Sequence, residues 1–223
     1  MRYNKKNVAG CFDYTLILPT TTNNDIFNLC AQALEYDVAA VCVSGAFVEY
    51  AKEKLKGSKV KVCCVVGYPL GGMDILAKVA ETQIAISKGA DEIDVVLNIG
   101  MLRDNNFEYI YNEIKSVVDA AGSVPVKVTI ETYYLNDTLK IKVCELAIKA
   151  GVAYVKTSTE GCEGGATVSD VALLRTVANN KVGIIASTNV NTLNDFIAMV
   201  SSGANRVAGT RFMDIIGEFG DAY

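Results

Sequence analysis

The chain has 223 residues, 51% of them hydrophobic and 21% charged, with a formal net charge of −4 and no histidine. That composition suits a soluble globule with one large core and excludes a disordered chain. Without imidazole, the serine and cysteine hydrolase schemes that depend on it are excluded, and the commonest metal ligand is missing.

An acidic balance with no basic stripe points away from nucleic acid and anionic membranes, leaving a small molecule as the expected partner. Seven cysteines stand at 11, 30, 42, 63, 64, 144 and 162. Their odd number and the lack of C-x-x-C spacing argue against a disulfide framework or a structural zinc and fit a reducing cytoplasm. Asp13 interrupts the apolar stretch after the basic start, so no signal peptide is expected, and no apolar run reaches membrane-spanning length. Neither a phosphate-binding P-loop nor a Gly-x-Gly-x-x-Gly turn is present, so neither a nucleotide cofactor nor a metal is expected.

In chain order, short apolar runs alternate with segments of helical periodicity. Strands are expected at 10–18, 38–44, 60–67, 92–98, 126–132, 152–158, 182–187 and 206–209. The first long helix is expected to start at Asn24 as N-cap, with Ile26, Leu29 and Ala33 on its buried face and Asn28, Gln32 and Glu35 turned outward. Further helices fall near 74–88, 105–121, 137–150, 168–178 and 191–202. Eight β/α units with strands apolar on both faces predict a single-domain (β/α)8 TIM barrel over residues 1–223. An open doubly wound sheet is the competing arrangement.

Side chains alternate along a strand, so in a barrel one parity faces the interior. In the fifth strand Lys127, Thr129 and Glu131 share a face; in the fourth Asp94 shares one with Asn98; in the sixth Lys156 shares one with Ser158; in the first Asp13 shares one with Thr15. Pooling these faces places Lys127, Lys156, Asp13, Asp94 and Glu131 in one interior. Unpaired, each charge would cost several kcal/mol (roughly, by desolvation alone) or be neutralised, so mutual pairing is expected. Structural ion pairs are one reading of the set, and a functional site at the strand ends is the other. Lysines and acids in a dry interior without histidine suit imine catalysis: an amine attacks a carbonyl, and the iminium accepts the electrons of an adjacent C–C bond.

Several stretches carry a family likeness. They are Asp13-Tyr14-Thr15-Leu16, Ala40-Val41-Cys42-Val43, Gly67-Tyr68-Pro69-Leu70-Gly71, Gly89-Ala90-Asp91-Glu92-Ile93-Asp94-Val95-Val96, Lys127-Val128-Thr129-Ile130-Glu131-Thr132, and Val155 to Thr159 followed by Gly164-Gly165-Ala166-Thr167. Together they resemble the deoxyribose-phosphate aldolase family, class I aldolases that cleave 2-deoxyribose 5-phosphate into glyceraldehyde 3-phosphate and acetaldehyde. The resemblance implies a barrel fold, Lys156 as the Schiff-base lysine, and Asp94 with a water as proton relay. It also implies a pocket lined by Asp13, Thr15 and Cys42; Lys127 is expected to act as an electrostatic helper, and Glu131, Ser158, Ser187 and Arg211 as further substrate contacts. The expected partner is a small aldehyde, sugar or sugar phosphate, with an unphosphorylated substrate or a binding or regulatory role without catalysis as the alternatives, and self-association into a homo-oligomer left open.

The chain also departs from the family pattern. Strand seven of the family carries a second lysine followed by a Gly-Gly pair and an arginine; here Ile185, Thr188, Asn189 and Asn191 stand at those positions. Leu18 replaces a lysine before Pro19, Glu160 replaces a glycine after strand six with Glu163 close behind, and Ala208-Gly209-Thr210-Arg211-Phe212 replaces a serine- and glycine-rich turn. An unperturbed lysine leaves only about one amine in two thousand uncharged at neutral pH, and a like charge beside it would raise that fraction. With Ile185 that help is gone, so slower imine formation is expected. A weakened phosphate site is expected too, unless Arg211 neutralises Glu160.

Overall fold

The computed structural model describes residues 3–161 and 163–219; Cys162 lies outside the described residues. Eight parallel strands close into a barrel in sequence order. They are β1 (Phe12–Leu16), β2 (Ala40–Val43), β3 (Lys61–Val66), β4 (Glu92–Val96), β5 (Val126–Thr129), β6 (Tyr154–Lys156), β7 (Gly183–Ser187) and β8 (Arg206–Gly209). Pairing of β8 with β1 completes the ring and removes the open-sheet alternative.

The helices in order are α1 (Lys5–Ala9), α2 (Asn23–Tyr36), α3 (Val48–Lys54), α4 (Ile75–Ser87), α5 (Ile99–Arg103), α6 (Phe107–Ala121), α7 (Asp137–Ala150), α8 (Val168–Ala178), α9 (Leu193–Ser201) and α10 (Phe212–Gly217). Four of them, α1, α3, α5 and α10, are too short to show a period in the sequence. Their caps explain where the longer ones start. α2 begins two residues earlier than expected because Thr22, not Asn24, is the N-cap: its hydroxyl accepts the Asp25 N–H while the Asp25 carboxylate accepts the Thr22 N–H at 2.8 Å. α6 lays Ile110, Ile114, Val117 and Ala121 on the barrel, each buried isoleucine or valine worth about 1.5–3 kcal/mol of transfer free energy. Among the described residues, no helix is long and apolar enough to cross a membrane. The six described cysteines are free thiols.

Two apolar regions result. The larger lies between strands and helices and includes Val41, Cys64, Val95, Val128, Val155 and Ile184. The smaller lies inside the barrel, where Ile17, Ala40, Cys42, Cys63 and Val65 meet, with Tyr68 packed against them. Adjacent Cys63 and Cys64 thus face opposite sides of β3, as alternation requires. The interior is therefore apolar toward β2 and β3 and charged toward β4, β5, β6 and β8.

Strands β1 to β6 all end sooner than expected, and two of these ends shape the site. β5 stops at Thr129, and Glu131 turns into the left-handed region with φ 50°, a conformation costing about 1–3 kcal/mol for a residue other than glycine. β6 stops at Lys156, so Ser158 belongs to the loop beyond it.

Candidate active site

Register builds the site. Asp94 pairs with Lys127 across β4 and β5, Thr129 with Lys156 across β5 and β6, and Lys156 with Ile185 across β6 and β7. Because β6 ends at Lys156, its ammonium emerges at the C-terminal mouth of the barrel, the end where barrel enzymes place their chemistry. It donates to Asp94 Oδ2 at 2.6 Å, and both side chains are buried. Thr129 Oγ1 donates to the other carboxylate oxygen at 2.7 Å and fixes its plane. Burial alone would lower the Lys156 pKa, but the Asp94 carboxylate, together with Cys42 and Cys63 nearby, outweighs it and holds the amine above its ordinary value. Ile185, fully buried beside it, adds dryness without a charge.

Deeper in the barrel lies a second charged group. Lys127 Nζ meets Asp13 Oδ2 at 2.6 Å and Glu92 Oε2 at 2.7 Å. Arg206 Nη1 closes the square, donating to Asp13 Oδ1 at 3.0 Å and to Glu92 Oε2 at 2.9 Å. Its guanidinium also sits over the Tyr154 ring at 4.9 Å from the centroid. Burial would raise the Asp13 pKa, yet Lys127 and Arg206 together pull it below the usual carboxylate value. The positive charge of Lys127 is cancelled where it stands, by two carboxylates.

The remaining expected residues fall as follows. Cys42 is buried in the apolar half of the interior, and Thr15 Oγ1 donates to its neighbour's Asp13 carbonyl at 3.1 Å. Ser158 is fully buried, and among the described residues its Oγ has no hydrogen-bond partner. Ser187 is buried, and its N–H donates to Thr157 Oγ1 at 3.0 Å while Thr157 donates to the Ser187 carbonyl, which locks the ends of β6 and β7. Glu131 does not continue the Lys127 face as expected: the left-handed turn swings its carboxylate to the Thr159 N–H at 2.9 Å. Arg211 is exposed, and its Nε pairs with Asp214 at 3.0 Å rather than with Glu160.

Three site residues escaped the sequence reading. Glu92 and Arg206 carry the deeper network, and Tyr68 reaches in from the loop after β3. Burial, then the nearby Glu160 carboxylate, push the Tyr68 phenol up to about 12. The loop that carries it needs glycine: Gly71 has φ 63°, and a Cβ there would lie 1.9 Å from the Leu97 carbonyl oxygen. Lys78 of α4 clamps this loop from below, donating to the carbonyls of Gly71 and Val96 at 2.7 Å each and to Glu113.

Cys42 Sγ, Cys63 Sγ and an Asp94 oxygen lie within 4.8 Å of one another. Lys156 already neutralises Asp94, and a hydrogen bond with Cys42 together with burial pushes the Cys63 thiol well up. Both effects oppose a cation between them, whereas together they leave a dry wall facing the amine.

Residues 9–217 match the profile of the DeoC/LacD family aldolases. The chain belongs to this family. It is 45% identical over 216 residues to the deoxyribose-phosphate aldolase of Caldanaerobacter subterraneus subsp. tengcongensis, covering 96% of this chain and 94% of that one. It is likewise 45% identical over 207 residues to the deoxyribose-phosphate aldolase of Clostridium perfringens, covering 92% of each. Among solved structures, one assigned to a deoxyribose-phosphate aldolase from Coccidioides immitis superposes with a TM-score of 0.95 at 33% identity, covering 97% of this chain and 87% of that one. A tetrameric deoxyribose phosphate aldolase from Aeropyrum pernix shares the fold, with a TM-score of 0.88 at 24% identity and coverage of 99% of this chain and 94% of that one. This family member is a carbon–carbon lyase.

Proposed function

We propose that the chain reversibly cleaves 2-deoxyribose 5-phosphate to glyceraldehyde 3-phosphate and acetaldehyde through a Schiff base on Lys156. The observation that carries this reading is the buried contact of 2.6 Å between Lys156 Nζ and Asp94 at the strand ends, in a chain 45% identical to deoxyribose-phosphate aldolases.

Lys156 transfers its proton to Asp94 across that contact and attacks the C1 carbonyl as a free amine. The carbinolamine loses water, and the resulting iminium withdraws electrons as the C2–C3 bond breaks. The C3 hydroxyl gives up its proton to a base, releasing glyceraldehyde 3-phosphate and leaving an enamine on Lys156. Asp94, working through a water, returns a proton to C2, and hydrolysis of the imine frees acetaldehyde and the amine. Thr129 holds the carboxylate in line throughout. The apolar wall of Cys42, Cys63 and Val65 keeps the neighbourhood dry, which strengthens the charge interactions that steer each proton.

The test is to reduce the protein with borohydride in the presence of acetaldehyde and weigh it. One adduct on the wild-type chain is expected, and none on Lys156→Ala, whose cleavage rate falls on the order of 10⁴-fold or more. An adduct that persists in Lys156→Ala would overturn the assignment.

A further inference from the structure

Barrel enzymes that handle phosphorylated substrates commonly hold the phosphate on backbone N–H groups of the loops after the seventh and eighth strands. In this chain four N–H groups of those loops are already directed at carboxylates. After β7, the Asn191 and Thr192 N–H groups donate to Asp195 at 3.0 and 2.9 Å. The Leu193 N–H donates to Glu218 at 3.1 Å. After β8, the Thr210 N–H is directed at the side chain of Glu160, one of whose oxygens lies 3.9 Å from the point where a side chain on Gly209 would begin.

The local backbone agrees. Thr188 and Asn189 keep left-handed φ values of 67° and 60°, a conformation that costs little in glycine and is strained in a β-branched residue. Thr188 Oγ1 is tied to the Thr159 carbonyl at 3.1 Å, drawing the loop after β7 onto the loop that carries Glu160. Arg211, the cation on this rim, is paired with Asp214. Glu160 itself is half-buried and near enough to feel the charge of Lys156.

We propose that Glu160 is a specificity-determining residue, standing where a substrate phosphate would be held and accepting instead the terminal hydroxyl of an unphosphorylated 2-deoxy sugar. The enzyme then gains little from the phosphate and cleaves 2-deoxyribose and its 5-phosphate with comparable kcat/KM. The proposal rests on the Schiff-base reading of Lys156 and concerns the far end of the same substrate.

Steady-state cleavage of both sugars by wild type, Glu160→Gly and Glu160→Gln tests it; the glutamine variant removes the charge with the shape kept. The wild-type ratio of kcat/KM, phosphorylated over unphosphorylated, is expected within about tenfold of one. Both variants are expected to raise that ratio at least about tenfold, the size set by lifting one carboxylate from a phosphate dianion at partly screened range. A wild-type ratio of about a thousand or more, unmoved by either substitution, overturns the proposal and leaves the imine chemistry standing. Failure to cleave either sugar while acetaldehyde still traps on Lys156 overturns it as well. Loss of the trapped adduct would instead bring down the Schiff-base reading beneath it.

Discussion

The two charged groups inside the barrel are built to opposite ends. Around Lys127, two cations and two carboxylates form a closed square in which Asp13 and Glu92 each serve both Lys127 and Arg206. Around Lys156 there is one carboxylate, steadied by one threonine hydroxyl, at an end of the barrel that opens toward the loops. Under the proposed mechanism, the difference accounts for the choice of Lys156 over Lys127 as the reacting lysine. A proton leaving Lys127 would leave two buried carboxylates to share the single charge of Arg206, a costly imbalance in a dry interior. A proton leaving Lys156 has one place to go, 2.6 Å away, and the pair it leaves is neutral.

The sharpest way to break that comparison is Asp94→Asn. Removing the counter-charge lets burial govern, so the Lys156 pKa falls from its raised position and more amine is neutral at neutral pH. Borohydride trapping of acetaldehyde should therefore speed up at neutral pH and depend less steeply on pH than in wild type. Cleavage should drop by roughly 10²–10⁴-fold because the proton relay is lost. If trapping and cleavage fell together, Asp94 would be serving Lys156 only as a structural partner.

Next in size is Lys127→Met, which leaves Asp13 and Glu92 with Arg206 alone. A loss of about 3–5 kcal/mol in unfolding free energy is expected, read from denaturant titrations, with the acetaldehyde adduct still forming on the folded protein. Loss of the adduct in a protein of undiminished stability would place Lys127 with the chemistry instead of the scaffold.

The smallest expected effect is that of Ile185→Lys. Ile185 lies beside Lys156 in register, and a second cation there would depress the Lys156 pKa. Each unit of depression gives about tenfold more neutral amine, so cleavage should rise by up to that factor at neutral pH. A fall would mean that Asp94 had been captured by the new lysine.

Alternation along strands was enough to place Lys156, Asp94, Lys127 and Asp13 in one interior, because each lies within a strand that keeps its parity. The same rule reaches Glu92, two residues before Asp94, and Arg206, two before Ala208; as charges at strand starts they read as solvated ends. Glu131 failed for a physical reason, since a left-handed φ of 50° ends the alternation just before it. Tyr68 was out of reach because parity says nothing about a loop. The helix start at Thr22 was legible in Thr-x-x-Asp, a capping box that outweighs the asparagine two residues on.

Lys78 carries one more consequence. It ties Gly71, Val96 and Glu113 together, and Glu113 in turn accepts the Asn98 N–H at 3.2 Å. The loop bearing Tyr68 and the end of the strand bearing Asp94 therefore share a single latch. In deuterated solvent, the amides of Gly71 and Asn98, which donate to Gly67 and Glu113, should exchange together, and both should lose protection together in Lys78→Met.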